Sequence, residues 1–598
     1  MKKNNPLGNR RFFQSLPILF LLFIFSISGS GQVSEQKLQQ HIKYLSSDAL
    51  LGRLTGSPGD SLAAEYIKGR LLSYGLVPLS GDGFQRYKVT KRVLEGKSNS
   101  LSANGIDYTV DKNFMPLAFS SNTGLESTVI FAGYGFNISA DSLKWNDYSG
   151  IDPKGKWVII LRGDPEPDNN KSPFISFSAD RDKALLAKDM GAAGVLLVSG
   201  PVFDPQDTFE PLNLEGYSVD IPVIRIKKEV ADNILSGSNN TIASLEKRLN
   251  QSKRPFSFST KVSVKGKAEI VRELAGTRNV MMLLPGEDPE LKNEYIILGA
   301  HFDHLGMGGP GSGSRALDTI GIHHGADDNA SGVAMMIELA GKFAGTKGSH
   351  PRSIICLSFS GEEEGLLGSK HFVDNPVIDL SKVNAMINMD MVGRLNETNN
   401  LQIGGVGTAK GLKDLVYAKT DTSVIKLTLS EEGYGPSDHS SFYGKNIPVL
   451  FYFTGAHMDY HTPTDTWEKI NFKGMVEISG LIFNVASDLA SENSRLEFKE
   501  AGPKVEVNRY PGRKGVTLGI MPDFAGVIKN GLRADFVTPG KPAALGGMQK
   551  GDIITFINGK QVNNIQDYMF RLSQLKHGQT ISVEVLRNGK NVILVIQL

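Results

Sequence analysis

The run Tyr295-Ile-Ile-Leu-Gly-Ala-His301-Phe-Asp303-His304 decides the fold. Its first six residues are small or largely apolar, and they end abruptly in His-x-Asp. A short run of this kind reads as a strand buried on both faces, the signature of a parallel sheet. In open α/β sheets, ligands gather just beyond the carboxyl ends of such strands. A histidine and a carboxylate two residues apart at that point suit a metal ligand and its orienting partner.

The pattern recurs along the chain. Ser353-Ile-Ile-Cys-Leu-Ser-Phe-Ser360 runs into Gly361-Glu362-Glu363-Glu364-Gly365, and Ala385-Met-Ile-Asn-Met389 ends in Asp390. Pro448-Val-Leu-Phe-Tyr-Phe453 is followed by Tyr460-His461-Thr-Pro-Thr-Asp465. Between the first two strands lies Gly325-Ala-Asp327-Asp328-Asn-Ala-Ser-Gly332. Val333, Met336, Leu339 and Phe343 then carry helical spacing, and Ser331 stands where it can cap the helix. Strands alternating with helices give an α/β fold, a mostly parallel central sheet flanked by helices with right-handed crossovers. Each conspicuous His, Asp or Glu then falls on one edge of that sheet.

A chain of 598 residues exceeds one domain, and about three or four are expected. Apolar content of 40% and charged content of 21% describe an ordinary globular protein. Setting aside Lys2, Lys3, Arg10 and Arg11, the 65 basic residues fall to 61 against 63 acidic ones, so nothing recommends a nucleic acid as partner. Those four cations precede the apolar Leu16–Phe25 and a stretch of small residues to Gly31, which reads as a signal peptide over 1–31. The expected location is periplasmic or secreted, with a membrane involved only if the leader stays uncleaved. The lone Cys356 lies within an apolar strand and reads as a core residue.

Residues 36–76 read as largely helical. From about 120 the character changes, with strands at Val129–Gly135 and Trp157–Leu161 and a helix turning into a strand at Lys183–Val198. No histidine occurs between His41 and His301, so this segment reads as a noncatalytic insertion. Arg278–Leu284 starts the metal-bearing sheet, and Met475–Leu489 is a closing helix. A polar linker over 491–504 leads to a compact β-rich tail with strands at Gly515–Ile520, Gly551–Gly559 and Ile581–Leu586 and a helix at Ile565–Leu575.

His301, Asp328, Glu363, Asp390 and His461 form a donor set for two zinc ions sharing one bridging carboxylate. A metal pair about 3.5–4 Å apart polarises a carbonyl and activates water. The chemistry then needs a base that is not a ligand. Of the consecutive Glu362 and Glu363, one can bind metal while the other takes the proton. Asp303 would hold the His301 ring in its tautomer.

These motifs, together with Ser437-Asp438-His439-Ser-Ser-Phe442, resemble the co-catalytic zinc aminopeptidases of the aminopeptidase Y and aminopeptidase S type. The resemblance covers roughly residues 36–120 and 263–495 and implies a zinc exopeptidase fold. It implies that Asp328 bridges two zinc ions, that His301 and Asp390 complete one site, and that Glu363 and His461 complete the other. Glu362 would be the general base and acid, Asp303 a catalytic partner, and Ser437, Asp438 and His439 a loop on the substrate side. The insertion is similar to a protease-associated domain and the tail to a PDZ domain, with Leu518-Gly519-Ile520 as the loop that would take a C-terminal peptide. The implied domains are 32–120 and 263–495 for the peptidase, 121–262 for the insertion and 503–598 for the tail. The implied activity is removal of N-terminal residues from peptides. Carboxypeptidases and glutaminyl cyclases share the sheet, and an inactive peptide-binding protein acting through its tail is the remaining alternative. The Gly-rich loop Leu305–His324 adds His323 and His324, and these two are read with His304 as mobile surface histidines.

Overall fold

The computed structural model describes residues 1, 32–139, 143–169, 171–212, 217–309, 311–316, 318–501, 516–522, 528 and 530–598. Residues 2–31 of the leader, 502–504 of the linker and Gly515 lie outside the described residues.

The four apolar runs form the centre of a nine-stranded sheet. Ser353–Phe359, Tyr295–His301, Val383–Met389 and Val449–Phe453 lie side by side, and each neighbouring pair is parallel. Ser353–Phe359 and Val383–Met389 are buried at every position, as coverage of both faces requires. The flanks are antiparallel: Ile270–Leu284 pairs with Ser353–Phe359, and Asn400–Gly404 with Val449–Phe453. The sheet is therefore mixed, with a parallel centre.

Helices Pro58–Ser73, Gly332–Gly345 and Phe472–Ser491 cover one face. Val333, Met336, Leu339 and Phe343 pack there with Ile296, Leu298 and Ile482. On the other face Phe372 and Phe442, from Leu367–Asp374 and His439–Tyr443, meet Ile297 and Ile355. Each such side chain stabilises the fold by about 1.5–3 kcal/mol on burial. Ser331 occupies the N-cap position of Gly332–Gly345 but gives no side-chain cap, contrary to the sequence expectation. Its hydroxyl donates to the Asp327 carbonyl at 2.8 Å and accepts from Val392 N at 3.0 Å, while Asn329 Oδ1 accepts from Gly332 N at 3.0 Å. Gly332 admits no side chain, because a β-carbon there would lie 2.2 Å from the Met389 carbonyl oxygen. The helix start is thus pressed against the strand that ends at the site.

The insertion has its own eight-stranded sheet and core. That sheet runs from Ser100–Ala103 to Ser257–Lys267, so it extends beyond the expected 121–262 on both sides. Residues 100–116, read from sequence with the peptidase, pair instead with strands of the insertion. Partners more than a hundred residues away decide that membership, and local pattern does not carry it. One antiparallel ribbon, Phe84–Glu95 with Ile270–Leu284, carries the chain out to the insertion and back. At its outer end Glu95 faces Ile270, and Gly96 N donates to the Glu269 carbonyl at 2.8 Å.

The tail is a six-stranded unit with a separate core. Its first described strand is Ile520–Pro522, which meets the expected Gly515–Ile520 only at Ile520, since residues 516–519 are not in a strand. Helix Ile565–Ser573 is capped by Asn564 and docks on the insertion. Asp567 accepts from Arg181 at 2.6 Å, Arg571 pairs with Asp189, and Phe570 enters the apolar cluster of the insertion. Among the described residues no helix is long and apolar enough to cross a membrane.

Candidate metal centre and active site

The carboxyl ends of the central strands bring His301, Asp328, Glu362, Glu363, Asp390 and His461 together in two clusters. In the first, His301 Nε2 lies 3.4 Å from Asp328 Oδ1, 3.4 Å from Asp390 Oδ1 and 3.9 Å from Glu362 Oε2. In the second, His461 Nε2 lies 3.2 Å from Asp328 Oδ2 and 3.0 Å from Glu363 Oε2. Asp328 thus offers one oxygen to each cluster. His461 Nε2 is buried and makes no hydrogen bond, although two carboxylate oxygens lie so near. Donor atoms this close that do not bond one another converge on a common point, which is the arrangement of ligands around a cation. The chemistry of the set, imidazole and carboxylate, fits zinc.

The clusters are held from behind. Asp303 Oδ1 accepts from Glu362 N at 3.1 Å, and Oδ2 accepts from Glu363 N at 3.3 Å and from Thr55 Oγ1 at 3.0 Å. Asp303 therefore fixes the backbone that points the two glutamates into different clusters. It lies 3.6 Å from His301 Nδ1, beyond direct hydrogen-bond range, and that nitrogen is buried without a partner. The expected carboxylate–histidine bond is absent, and the Asp303 carboxylate is taken up by the glutamate turn instead. Asp465 Oδ2 accepts from Asp327 N at 2.9 Å and Asp328 N at 3.1 Å, so the end of the His461 motif orients the Asp328 motif. The His461 ring is set by a 3.0 Å bond from Nδ1 to the Gly313 carbonyl and by stacking on Tyr460 at 3.8 Å.

The Gly-rich loop is therefore part of the site. His304 and His323 are fully buried and His324 is partly buried, so the expectation of mobile surface histidines is corrected. His323 bonds Ser314 Oγ at 2.7 Å within the loop. Gly308 and Gly313 sit at φ 65° and 83°, which lets the loop fold back on itself.

Sequence reasoning missed Arg53 and Asp60. Arg53 is buried and donates to the carbonyls of Phe302 at 2.7 Å, His324 at 2.8 Å, Gly325 at 3.0 Å and Leu45. It joins the first helix, the end of the central strand and the Asp328 motif. Burial lowers its pKa to about 10 against the pull of Asp328 and Asp303. Asp60 accepts from Ser360 Oγ at 2.6 Å and Thr277 Oγ1 at 2.8 Å below the glutamate turn, and burial raises it to about 7. The single legible signal was a cation beside apolar residues in Leu50-Leu-Gly-Arg53. Ser437, Asp438 and His439 are all buried. Ser437 accepts from Asn388 Nδ2 at 2.8 Å, and His439 stacks on Phe451 at 4.4 Å. In the tail Leu518 is in the core, Gly519 sits at φ 74°, and Ile520 is half-buried.

The two glutamates differ electrostatically. Burial pushes Glu362 well above the usual carboxylate range, opposed by His301 and reinforced by Glu363 and Asp390. Burial also works against ionised Glu363, yet its hydrogen bond with His304 and the nearby His461 ring hold it below that range. One glutamate is thus disposed to carry a proton and the other to stay ionised, a division suited to a base and a ligand.

Fold and site together define a metallo-exopeptidase. The model of peptidase family M28 matches residues 279–486, that of the PA domain residues 117–234 and that of the PDZ domain residues 487–598, so the chain carries an M28 peptidase unit with a PA insertion and a PDZ tail. Aminopeptidase YwaD of Bacillus subtilis (strain 168) is 25% identical over 449 residues, 73% of this chain and 81% of that protein. A probable leucine aminopeptidase of Trichophyton verrucosum is 28% identical over 223 residues, 36% of this chain and 56% of that protein. A solved structure described as BSAP, a zinc aminopeptidase from Bacillus subtilis, is 21% identical, with 77% of this chain and 97% of that chain covered at a TM-score of 0.44.

Proposed function

We propose that the protein is a zinc-dependent aminopeptidase that removes N-terminal residues from peptides. The observation that carries this reading is the split of consecutive glutamates, with Glu363 among the ligand atoms at 3.0 Å and Glu362 set back at 3.9 Å. Two zinc ions would be held by His301 and Asp390 on one side, His461 and Glu363 on the other, with Asp328 between. When bound, they supply polarisation of the peptide carbonyl and a lowered pKa for water. Glu362 takes the proton of the attacking water and passes it to the nitrogen of the leaving amine. Its raised pKa favours holding that proton between the two transfers. Asp303, through the backbone of both glutamates, fixes where the base stands. The relatives named as aminopeptidases and the M28 match support the exopeptidase reading.

The basic and apolar leader supports export to the periplasm or beyond, which cell fractionation would check. The tail, as a PDZ unit, supports capture of peptide C-termini at Leu518-Gly519-Ile520. The enzymatic test pairs a peptide bearing a free N-terminus with its N-acetylated twin, with and without zinc, and reads products by mass. Stepwise, metal-dependent loss from the free N-terminus alone is expected. Loss from the C-terminus, or of ammonia from N-terminal glutamine, would overturn the reading in favour of a different enzyme on the same fold.

A further inference from the structure

His304 directly follows the His-x-Asp motif, and its ring is fully buried against the second cluster. Nδ1 lies 2.7 Å from Glu363 Oε1 and 3.7 Å from Asp328 Oδ2. The other oxygen of Glu363, Oε2, lies 3.0 Å from His461 Nε2. The two oxygens of one carboxylate therefore face different partners.

Distance separates two kinds of contact here. Where imidazole and carboxylate donors converge on a cluster centre, the nitrogen–oxygen separations are 3.0, 3.2, 3.4 and 3.4 Å. The His304–Glu363 contact is a hydrogen bond at 2.7 Å, in the short range of an N–H donating to a carboxylate. The ring is also fixed in place. Its backbone N donates to the Arg53 carbonyl at 3.2 Å, and His461 meets it edge-on at 5.8 Å. Gly325 approaches so closely that a β-carbon there would lie 2.6 Å from His304 Cδ2. Arg53 binds the Gly325 carbonyl, so the strand end, the Asp328 motif and this ring are one assembly.

We propose that His304 is a positioning residue for the second metal site: it donates Nδ1–H to Glu363 Oε1 and so leaves Oε2 as the single oxygen aimed at the metal. The inference rests on the two-zinc reading above. An unrestrained carboxylate can offer one or both oxygens to a cation. Tying one of them to an imidazole sets how many positions the glutamate occupies and which way its remaining lone pair points, the kind of outer partner that tunes affinity at metal centres.

The test uses the full chain, stripped by a chelator and titrated with zinc against a chromophoric chelator, as wild type, His304→Ala and His304→Asn. An asparagine amide nitrogen stands close to the place of Nδ1 and donates the same bond, yet does not ligate zinc through that nitrogen. Wild type should bind two zinc ions. His304→Ala should weaken one of them by about 10- to 100-fold and leave the other unchanged, and His304→Asn should recover most of that loss. Equal losses in the two variants would overturn the proposal and make the ring itself a ligand. Unchanged affinities in His304→Ala would overturn it and leave the ring a packing element. Should His304→Ala fail to fold, His304→Asn alone decides, since the proposal requires near wild-type affinity there. Fewer than two zinc ions in wild type would remove the proposal together with the two-zinc reading, an outcome distinct from the variant results.

Discussion

Two regions of this molecule bury charge, and they do so in opposite ways. In the insertion, Lys183 is almost wholly buried with its ammonium donating to the carbonyls of Leu161 at 2.7 Å and Gly163, above the faces of Tyr134 and Phe136. Arg225 likewise gives one nitrogen to Ser199 at 2.7 Å and Asp207 at 2.9 Å. The Lys183 ammonium and the terminal nitrogens of Arg225 are taken up by their neighbours, although Arg225 Nε is buried without a partner. At the peptidase edge the ring nitrogen of His461 and the oxygens of Asp328 and Glu363 stand within 3.2 Å and leave their lone pairs uncommitted to each other. A buried charge that serves structure is closed by hydrogen bonds, while one that serves chemistry converges on a shared point.

Substitutions on the two sides should separate sharply. Glu362→Gln is expected to lower kcat by a factor of about 100 to 10,000 while zinc content, read by mass spectrometry, stays at the wild-type value. Full activity in that variant would sink the base assignment. His461→Ala should lose one of two zinc ions and most activity, with little change in the melting temperature of the metal-free protein. A large drop in that temperature would mean the edge is built like the insertion. Lys183→Met should do the reverse: it leaves two carbonyls unsatisfied, costs about 1–3 kcal/mol by thermal or denaturant unfolding, and leaves kcat intact below the transition.

A last effect is a pH dependence within the insertion. Burial raises the pKa of Asp147 from 3.8 to about 7, even though the carboxylate accepts from Tyr134 N and Phe136 N. A folded-state pKa above the unfolded value means the folded state holds the extra proton between them. The stability this group contributes is therefore present below about pH 4 and lost as pH rises through 7. Asp147→Asn should flatten that part of the unfolding profile between pH 4 and 7, and an unchanged profile would show that Asp147 does not titrate there.

The peptidase sheet was legible because its central strands are largely apolar runs with a ligand-type residue at or soon after their ends, and strand ends of one parallel sheet share an edge. The site's support was not legible for the complementary reason. Arg53 reaches Phe302 and Gly325 across 249 and 272 residues, and Thr55 reaches Asp303 across 248. Nothing in a local window marks an arginine as buried when its partners are backbone carbonyls so distant in sequence. His304 was misread because glycine-rich surroundings suggest a free loop, whereas here the glycines supply the turns that press the loop onto the cluster. The limits of the insertion failed similarly, since Ser100–Ala103 becomes part of it only by pairing with Val264–Lys267.

The two-stranded ribbon gives the insertion one doorway. Because Glu95 faces Ile270 at its outer end, the polypeptide leaves and re-enters the peptidase at points one strand spacing apart, about 5 Å. A two-residue hairpin turn spans that gap. In topological terms the whole of residues 96–269 is a cassette, whose removal asks nothing of the sheet that bears the site. While folded, the same cassette acts as a clasp, holding together two edges that a slack segment of that length would close only at a loss of several kcal/mol. The tail, docked on the cassette by Asp567, Phe570 and Arg571, would lose these moorings on excision.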